Sequence, residues 1–196
     1  ADKPIIFYSL SILMLLDIRD ILIIVKPTDK LSYKKLLGNG KSFGIKISYI
    51  TQKNPRGLPD AFLLGAKFIA NKSVALILGD NFFHGQSLVE LLKGASKNFE
   101  SGANIFAYNV KNPQDYGVIE GAKDNIKIIE KPKKTTSRKA ITGLYFFDKN
   151  VSKLSKKLKY SKRGELEIVD LIKNYLVTKK LKITELGRGS AWLDTG

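Results

Sequence analysis

The stretch Val74-Ala75-Leu76-Ile77-Leu78-Gly79-Asp80-Asn81 decides the fold. Its apolar run without alternation reads as a strand buried on both faces, as a central strand of a parallel sheet is. Gly79 ends the run and leaves Asp80 at the strand's C-terminal end, where open α/β sheets bind ligands. An acid there either faces the crevice or opens an Asx turn toward the next helix, and its position alone leaves both readings open. Outward from this strand, β-branched runs alternate with stretches of helical period. Strands are predicted over 21–25, 45–49, 74–78, 104–108, 117–120, 126–130, 142–147 and 182–186. Helices are predicted over 4–16, 30–37, 60–68, 87–98, 149–158 and 165–177. The later strands are shorter and alternate more, which predicts an antiparallel or mixed annex. No repeat, low-complexity segment or linker divides the chain, so its 196 residues are expected to form one domain, 1–196.

Composition removes several kinds of chemistry. The chain has no cysteine and a single histidine, His84, so a thiolate metal site, a cysteine nucleophile and a multi-histidine zinc site are excluded. His84 itself reads as a loop residue. The apolar opening from Pro4 stops at Asp17, short of the ~20 residues a membrane span needs, and lacks a basic lead-in or a cleavage site. No membrane partner and a cytoplasmic location are therefore expected. The formal net charge is +16, yet only five of the 34 basic residues are arginine (Arg19, Arg56, Arg138, Arg163, Arg188). Arginine supplies the bidentate contacts of specific nucleic-acid readers, and the lysines form no aromatic-interleaved stripe, so no nucleic-acid partner is expected. The surplus reads as a solvated surface, whose charge also helps attract small polyanionic substrates.

The motifs sort by position. Gly40-Lys41-Ser42 is not a phosphate loop: that motif needs a glycine where Lys35 stands, and no buried strand precedes it. The segment from Gly38 to Gly44 reads as a turn. Asp194, in Trp192-Leu193-Asp194-Thr195-Gly196, is a second acid far from Asp80 in sequence. If the two converge they make an oxygen site suited to Mg²⁺, which takes one or two carboxylates and leaves its other positions to water and phosphates. Glu130-Lys131-Pro132 sets an acid beside a base at a strand end, and Arg163-Gly164-Glu165-Leu166-Glu167 repeats the mixture at a predicted helix start. Ordinary helix-dipole chemistry accounts for such acids; alternatively Lys131 and Arg163 hold a phosphate while Glu130 and Glu165 hold sugar hydroxyls.

Taken together, the chain resembles the glucose-1-phosphate thymidylyltransferase family of sugar nucleotidyltransferases. The matching stretches are Gly57-Leu58-Pro59-Asp60-Ala61-Phe62, Gly79–Gly85, Tyr116-Gly117-Val118, Glu130-Lys131-Pro132, Thr142–Asp148, Arg163–Glu167 and Trp192–Gly196, in family order along the whole chain. The resemblance implies a Rossmann-like nucleotide-diphospho-sugar transferase fold with a mixed, mostly parallel sheet. It implies that Mg²⁺ is held by Asp80 and Asp194, and that dTTP and glucose 1-phosphate give dTDP-glucose and pyrophosphate, the first step toward dTDP-rhamnose and other deoxysugars. By the same resemblance Gln52 and the Gly57 backbone meet the thymine, Lys131 and Arg163 clamp the sugar phosphate, and Tyr116, Gly117, Glu130, Ile141, Tyr145 and Glu165 line the substrate pocket. The family is commonly tetrameric, so a homotetramer is implied for a full-length protein.

Two departures qualify the resemblance. Pro59-Asp60 stands where the family usually has Ala-Gln, beside the base pocket. The family's glycine-rich loop, with its cations for the leaving pyrophosphate, belongs before the segment equivalent to Ala1. The chain opens on Ala1-Asp2-Lys3-Pro4 straight into a helix and closes on Trp192–Gly196, so a domain partial at both ends, without its first strand and the family's C-terminal helices, is expected, with no turnover by the chain alone, since losing one such stabiliser costs ~10²–10³ in rate. The competing readings are a nucleotidyltransferase using UTP or another sugar phosphate, and a sugar-nucleotide-binding module without catalysis.

Overall fold

The structure is a computed structural model that describes residues 3–122 and 125–196; Ala1 and Asp2, at the chain opening, lie outside them. Its helices are α1 (Ile6–Leu15), α2 (Lys30–Leu37), α3 (Asp60–Leu64), α4 (Ala66–Ile69), α5 (Leu88–Lys97), α6 (Val151–Ser155) and α7 (Ile168–Val177). Its strands are β1 (Asp20–Val25), β2 (Lys46–Thr51), β3 (Val74–Ile77), β4 (Asn81–Gly85), β5 (Ala103–Asn109), β6 (Gly117–Glu120), β7 (Lys127–Glu130), β8 (Lys139–Phe147), β9 (Leu181–Glu185) and β10 (Ser190–Asp194).

The organising strand is β8. It pairs along one edge with β5 and along the other with β3 and β6, antiparallel in each case. Strand side chains alternate between faces, so Ile141, Tyr145 and Phe147 join one core with α7, α6 and Phe62. Ala140, Leu144 and Phe146 join a second core with α5, Phe83 and Trp192. Apolar almost throughout, α1 fits between two cores, giving Ile12 to the second and Leu10 and Leu13 to a third built on β1 and β2. None of the described helices is long and apolar enough to cross a membrane.

The mixed α/β class stands, but the sheet is not mostly parallel. Among the described residues only β1–β2 and β5–β9 pair in parallel, and the other five pairings are antiparallel. Burial of a strand does not fix its neighbour's direction, and β3 takes β8 as an antiparallel partner. Nor is β3 buried on both faces: all four of its residues are half-buried. Its other edge faces that of β1 across cavities of about 460 and 200 Å³ lined by Leu22, Ile24, Leu76 and Ile77.

Three further expectations change. His84 is not in a loop but in β4, opposite Ala191 of β10. The helix expected over 60–68 breaks at Gly65 into α3 and α4. The helix expected from Glu165 starts only at Ile168, with Glu167 extended at its N-cap (φ −87°, ψ 131°), because residues 161–166 form a loop tied to Arg56 and Ser161. Glu165 in this loop and Glu167 at the N-cap thereby stand outside the helix, and both reach Arg163.

Candidate active site

After β3 the chain turns through Gly79 and Asp80 into β4, whose first residue, Asn81, is fully buried. Its Oδ1 accepts from the Gly143 N–H at 3.0 Å and from the Trp192 indole N–H at 2.6 Å. An amide with its oxygen so committed must turn its NH₂ the other way. There Nδ2 donates to Asp80 Oδ1 at 3.0 Å and Asp194 Oδ1 at 3.4 Å. The antiparallel register of β4 and β10 sets Asp194 opposite Asn81, and Thr195 closes the junction by donating its N–H and Oγ1–H to the Asp80 carbonyl. Two acids from opposite parts of the chain thus share one amide. Gly143 is required beneath them, since a Cβ there would lie 2.7 Å from Asn81 Cγ.

Among the described residues neither carboxylate has an ion-pair partner, and no cluster of three or more His, Asp or Glu surrounds them. Two uncompensated carboxylates suit a hard cation that completes its shell with water and phosphate oxygens, so the donor set fits Mg²⁺ and would not make a closed all-protein cage.

A second group lies across β6, β7 and the 161–167 loop. Register pairs Gly117 with Glu130, and the Glu130 carboxylate and the Ile141 side chain both reach the Gly117 Cα face. Arg163 sits among three carboxylates, with Nη2 3.1 Å from Glu165, Nη1 3.5 Å from Glu130 and Nε 3.7 Å from Glu167. Burial works against its charge, but Glu167, Glu165 and Glu130 outweigh it and hold the guanidinium above its ordinary value. Burial and the neighbouring Glu167 push the Glu130 carboxyl up, against the pull of Arg163 and Lys131. Arg163 thus stands ion-paired with these three acids rather than alone. Lys131 is exposed, with φ +38° and its N–H donating to the Tyr116 carbonyl.

Tyr116 packs its ring edge-on against Trp192 at 5.1 Å, and burial, then Asp194 and Asp115, raise its hydroxyl. Ile141 and Tyr145 lie beneath the site: both are buried, and the Tyr145 ring stacks on Phe147. Burial chiefly, then the charges of Glu130 and Asp194, raise the Tyr145 hydroxyl.

The third group opens onto the larger cavity, where Gln52, Pro55, Gly57, Leu58 and Glu165 meet Gly79. Gly57 has φ +93°, and a Cβ on it would collide with the Leu166 backbone, 2.8 Å from its nitrogen. The Leu166 N–H donates to the Arg56 carbonyl at 2.8 Å, so the 53–58 loop and the Arg163–Glu165 segment are seamed together.

The sequence reading missed Asn81, Gly143 and Trp192 as the frame of the acids, although all three stand inside quoted motifs. It also missed the bond from Gln52 Nε2 to Asp60 Oδ2 at 2.8 Å. A polar Asn81 directly after the candidate acid Asp80, at the end of an apolar run, was the available signal.

Comparison with known proteins places this geometry. The model of a family described as nucleotidyl transferase matches residues 1–196. A glucose-1-phosphate thymidylyltransferase of Neisseria meningitidis serogroup A is 52% identical over the whole chain, which covers 68% of that relative. The chain belongs to the glucose-1-phosphate thymidylyltransferase family. A second member, from Mycolicibacterium smegmatis, is 47% identical over the whole chain and 68% of its own length. The chain thus spans about two thirds of these curated relatives. A Bacillus anthracis protein described as a glucose-1-phosphate thymidylyltransferase in complex with a sucrose superposes with a TM-score of 0.87 at 33% identity, over 98% of this chain and 77% of that one. A UDP-glucose pyrophosphorylase complexed with UDP-glucose shares the fold, with a TM-score of 0.82 at 22% identity over 99% and 82% of the two chains. The family is one of sugar-1-phosphate nucleotidyltransferases.

Proposed function

We propose that this protein transfers the thymidylyl group of dTTP to glucose 1-phosphate, giving dTDP-glucose and pyrophosphate and so supplying deoxysugar synthesis. What carries the reading is the convergence of Asp80 and Asp194 on the Asn81 amide, with Gly79, next to Asp80, lining one cavity together with Gln52, Gly57 and Glu165. An oxygen of the sugar phosphate attacks the α-phosphorus of dTTP while the bond from that phosphorus to the α–β bridging oxygen breaks, and pyrophosphate leaves with the bonding electrons. The nucleophile is already an anion, so no side chain need remove a proton, which agrees with a chain that has one histidine and no cysteine. Catalysis then rests on alignment and charge.

In this reading Gln52 and the Gly57 backbone hold the base. Lys131 and Arg163 hold the sugar phosphate. Glu130 and Glu165 accept hydrogen bonds from sugar hydroxyls, and Tyr116, Gly117, Ile141 and Tyr145 shape the pocket. Asp80 and Asp194 would hold Mg²⁺, which when bound neutralises charge developing on the phosphate oxygens.

The test is pyrophosphate release from dTTP and glucose 1-phosphate with Mg²⁺, run on the chain and on the chain together with any residues its gene encodes upstream of Ala1. Turnover should require both substrates, and Asp80→Asn or Asp194→Asn should each lower it at least about a hundredfold. Turnover indifferent to both substitutions, or a clear preference for UTP over dTTP, refutes the assignment.

A further inference from the structure

Asp60, which the resemblance sets beside the base pocket, is 6% exposed and lies in the first turn of α3 beside the cavity. Its carboxylate receives the Gln52 Nε2–H at 2.8 Å. A carboxylate only accepts, so the end of the Gln52 amide turned toward Asp60 is the NH₂, and Oε1 is turned away. The remaining N–H and Oε1 then form a donor and an acceptor side by side. Gln52 lines the same cavity as Gly57, Leu58 and Ala61, which sets its amide among apolar neighbours on that side.

A fixed amide reads a base by sign. Thymine and uracil offer an imide edge, with N3–H as donor and the neighbouring carbonyl as acceptor. Cytosine offers the reverse, with N3 as acceptor and an amino group as donor. In one pose of the base, serving cytosine requires the amide to turn end for end. That turn would set Oε1 against the buried Asp60 carboxylate, where two acceptors face each other without a proton. We propose that Asp60 is a specificity-determining positioning residue that locks the Gln52 amide in the orientation matching an imide base and thereby rejects cytosine nucleotides. The lock rests on the reading that the base of the nucleotide sits at Gln52. It takes no account of the thymine methyl, so uridine and thymidine nucleotides pass it alike.

Asparagine at position 60 removes the sign: its amide can present oxygen or NH₂, and Gln52 can then turn either way. The experiment measures dissociation constants of dTTP, UTP and dCTP by calorimetry for the parent, Asp60→Asn and Gln52→Ala. In the parent, dTTP and UTP should bind and dCTP should bind at least about tenfold more weakly. Asp60→Asn should erase most of that ratio by strengthening dCTP, a gain that mere loosening of the fold does not produce. Gln52→Ala, which leaves Asp60 in place, should erase it by weakening dTTP and UTP, and it decides the matter if Asp60→Asn does not fold. If the parent binds dTTP well and the dTTP-to-dCTP ratio survives Asp60→Asn, or survives Gln52→Ala although dTTP binding weakens, the lock is wrong while the base site stands. If the parent binds none of the three, or Gln52→Ala leaves dTTP binding unchanged, the base site and the lock fall together.

Discussion

Asn81 offers the sharpest test, because the two ends of its amide serve different purposes. Its oxygen satisfies two buried donors, the Gly143 N–H and the Trp192 indole N–H. Leucine at position 81 keeps the volume roughly but strands both. Each buried donor left without a partner costs about 1–3 kcal/mol, so Asn81→Leu should cost about 2–6 kcal/mol, a large share of the roughly 5–15 kcal/mol that holds a domain together. With a urea slope of about 1–3 kcal/mol per molar, the midpoint should fall on the order of 2 M. The partner substitution supplies the control. Trp192→Phe should cost about 1 kcal/mol more than its lost packing in the parent, since it deprives Asn81 of one donor. In the Asn81→Leu background that increment should vanish or change sign, because it then removes a donor already stranded. A double-mutant cycle followed by far-ultraviolet circular dichroism isolates the term and cancels the packing change common to both backgrounds. Equal costs of Trp192→Phe in the two backgrounds would falsify the amide assignment. The other end of the amide gives a separate readout: Mn²⁺ binding by paramagnetic resonance should weaken in Asn81→Leu, since Asp80 and Asp194 lose the donor they share.

Gly57→Ala should destabilise the chain by about 1–3 kcal/mol, because it combines a positive φ with a Cβ driven into the Leu166 backbone. It should also weaken dTTP binding as the seam to Arg56 opens, so an unchanged urea midpoint and affinity would count against the packing described. For Glu130 the raised carboxyl means that the folded state binds the proton more readily than the unfolded chain. Its contribution is fully present below the ordinary glutamate value and is lost as pH rises through the raised folded value. Glu130→Gln should therefore stabilise the fold more at about pH 7 than at about pH 4, and a pH-independent difference in melting temperature would refute the charge balance drawn for this cluster.

The elements that the sequence announces are those whose stability is local. The 117–120 strand and the 30–37 helix begin and end where their residue patterns say, and most other strands fall within a residue or two. β4 and β10 stayed hidden because Asn81-Phe82-Phe83-His84-Gly85 and Ser190-Ala191-Trp192-Leu193-Asp194 become strands only by pairing with each other, a contact no periodicity encodes. Strand direction failed for the same reason: the apolar run at 74–77 records burial and says nothing of which way β8 returns. At the site, Asp80 was visible because it ends an apolar run, whereas Asp194 carried almost no local signal. The amide orientations of Asn81 and Gln52 depend on donors and acceptors supplied from elsewhere in the chain, so nothing in their immediate neighbours reveals them.

Arg163 is the case where sequence and structure pull hardest against each other, and the resolution is chemical. A guanidinium surrounded by Glu130, Glu165 and Glu167 looks neutralised, yet its ion pairs are partly exposed and individually weak, so any one of them is cheap to exchange. Burial and then the neighbouring Glu167 raise the Glu130 carboxyl against the pull of Arg163 and Lys131, and three carboxylates around one guanidinium leave the cluster short of positive charge. On the proposed reading a sugar brings hydroxyl donors for Glu130 and Glu165 and a phosphate for Arg163. The hydroxyls occupy the carboxylates just as the phosphate needs the guanidinium, so each half of the ligand frees the group required by the other. Lys131, exposed on the neighbouring strand end, adds the charge that the cluster lacks. A bare phosphate would have to displace carboxylates without offering them donors in return, so on that reading the same arrangement that pairs Arg163 with acids favours a phosphate attached to a sugar over phosphate alone.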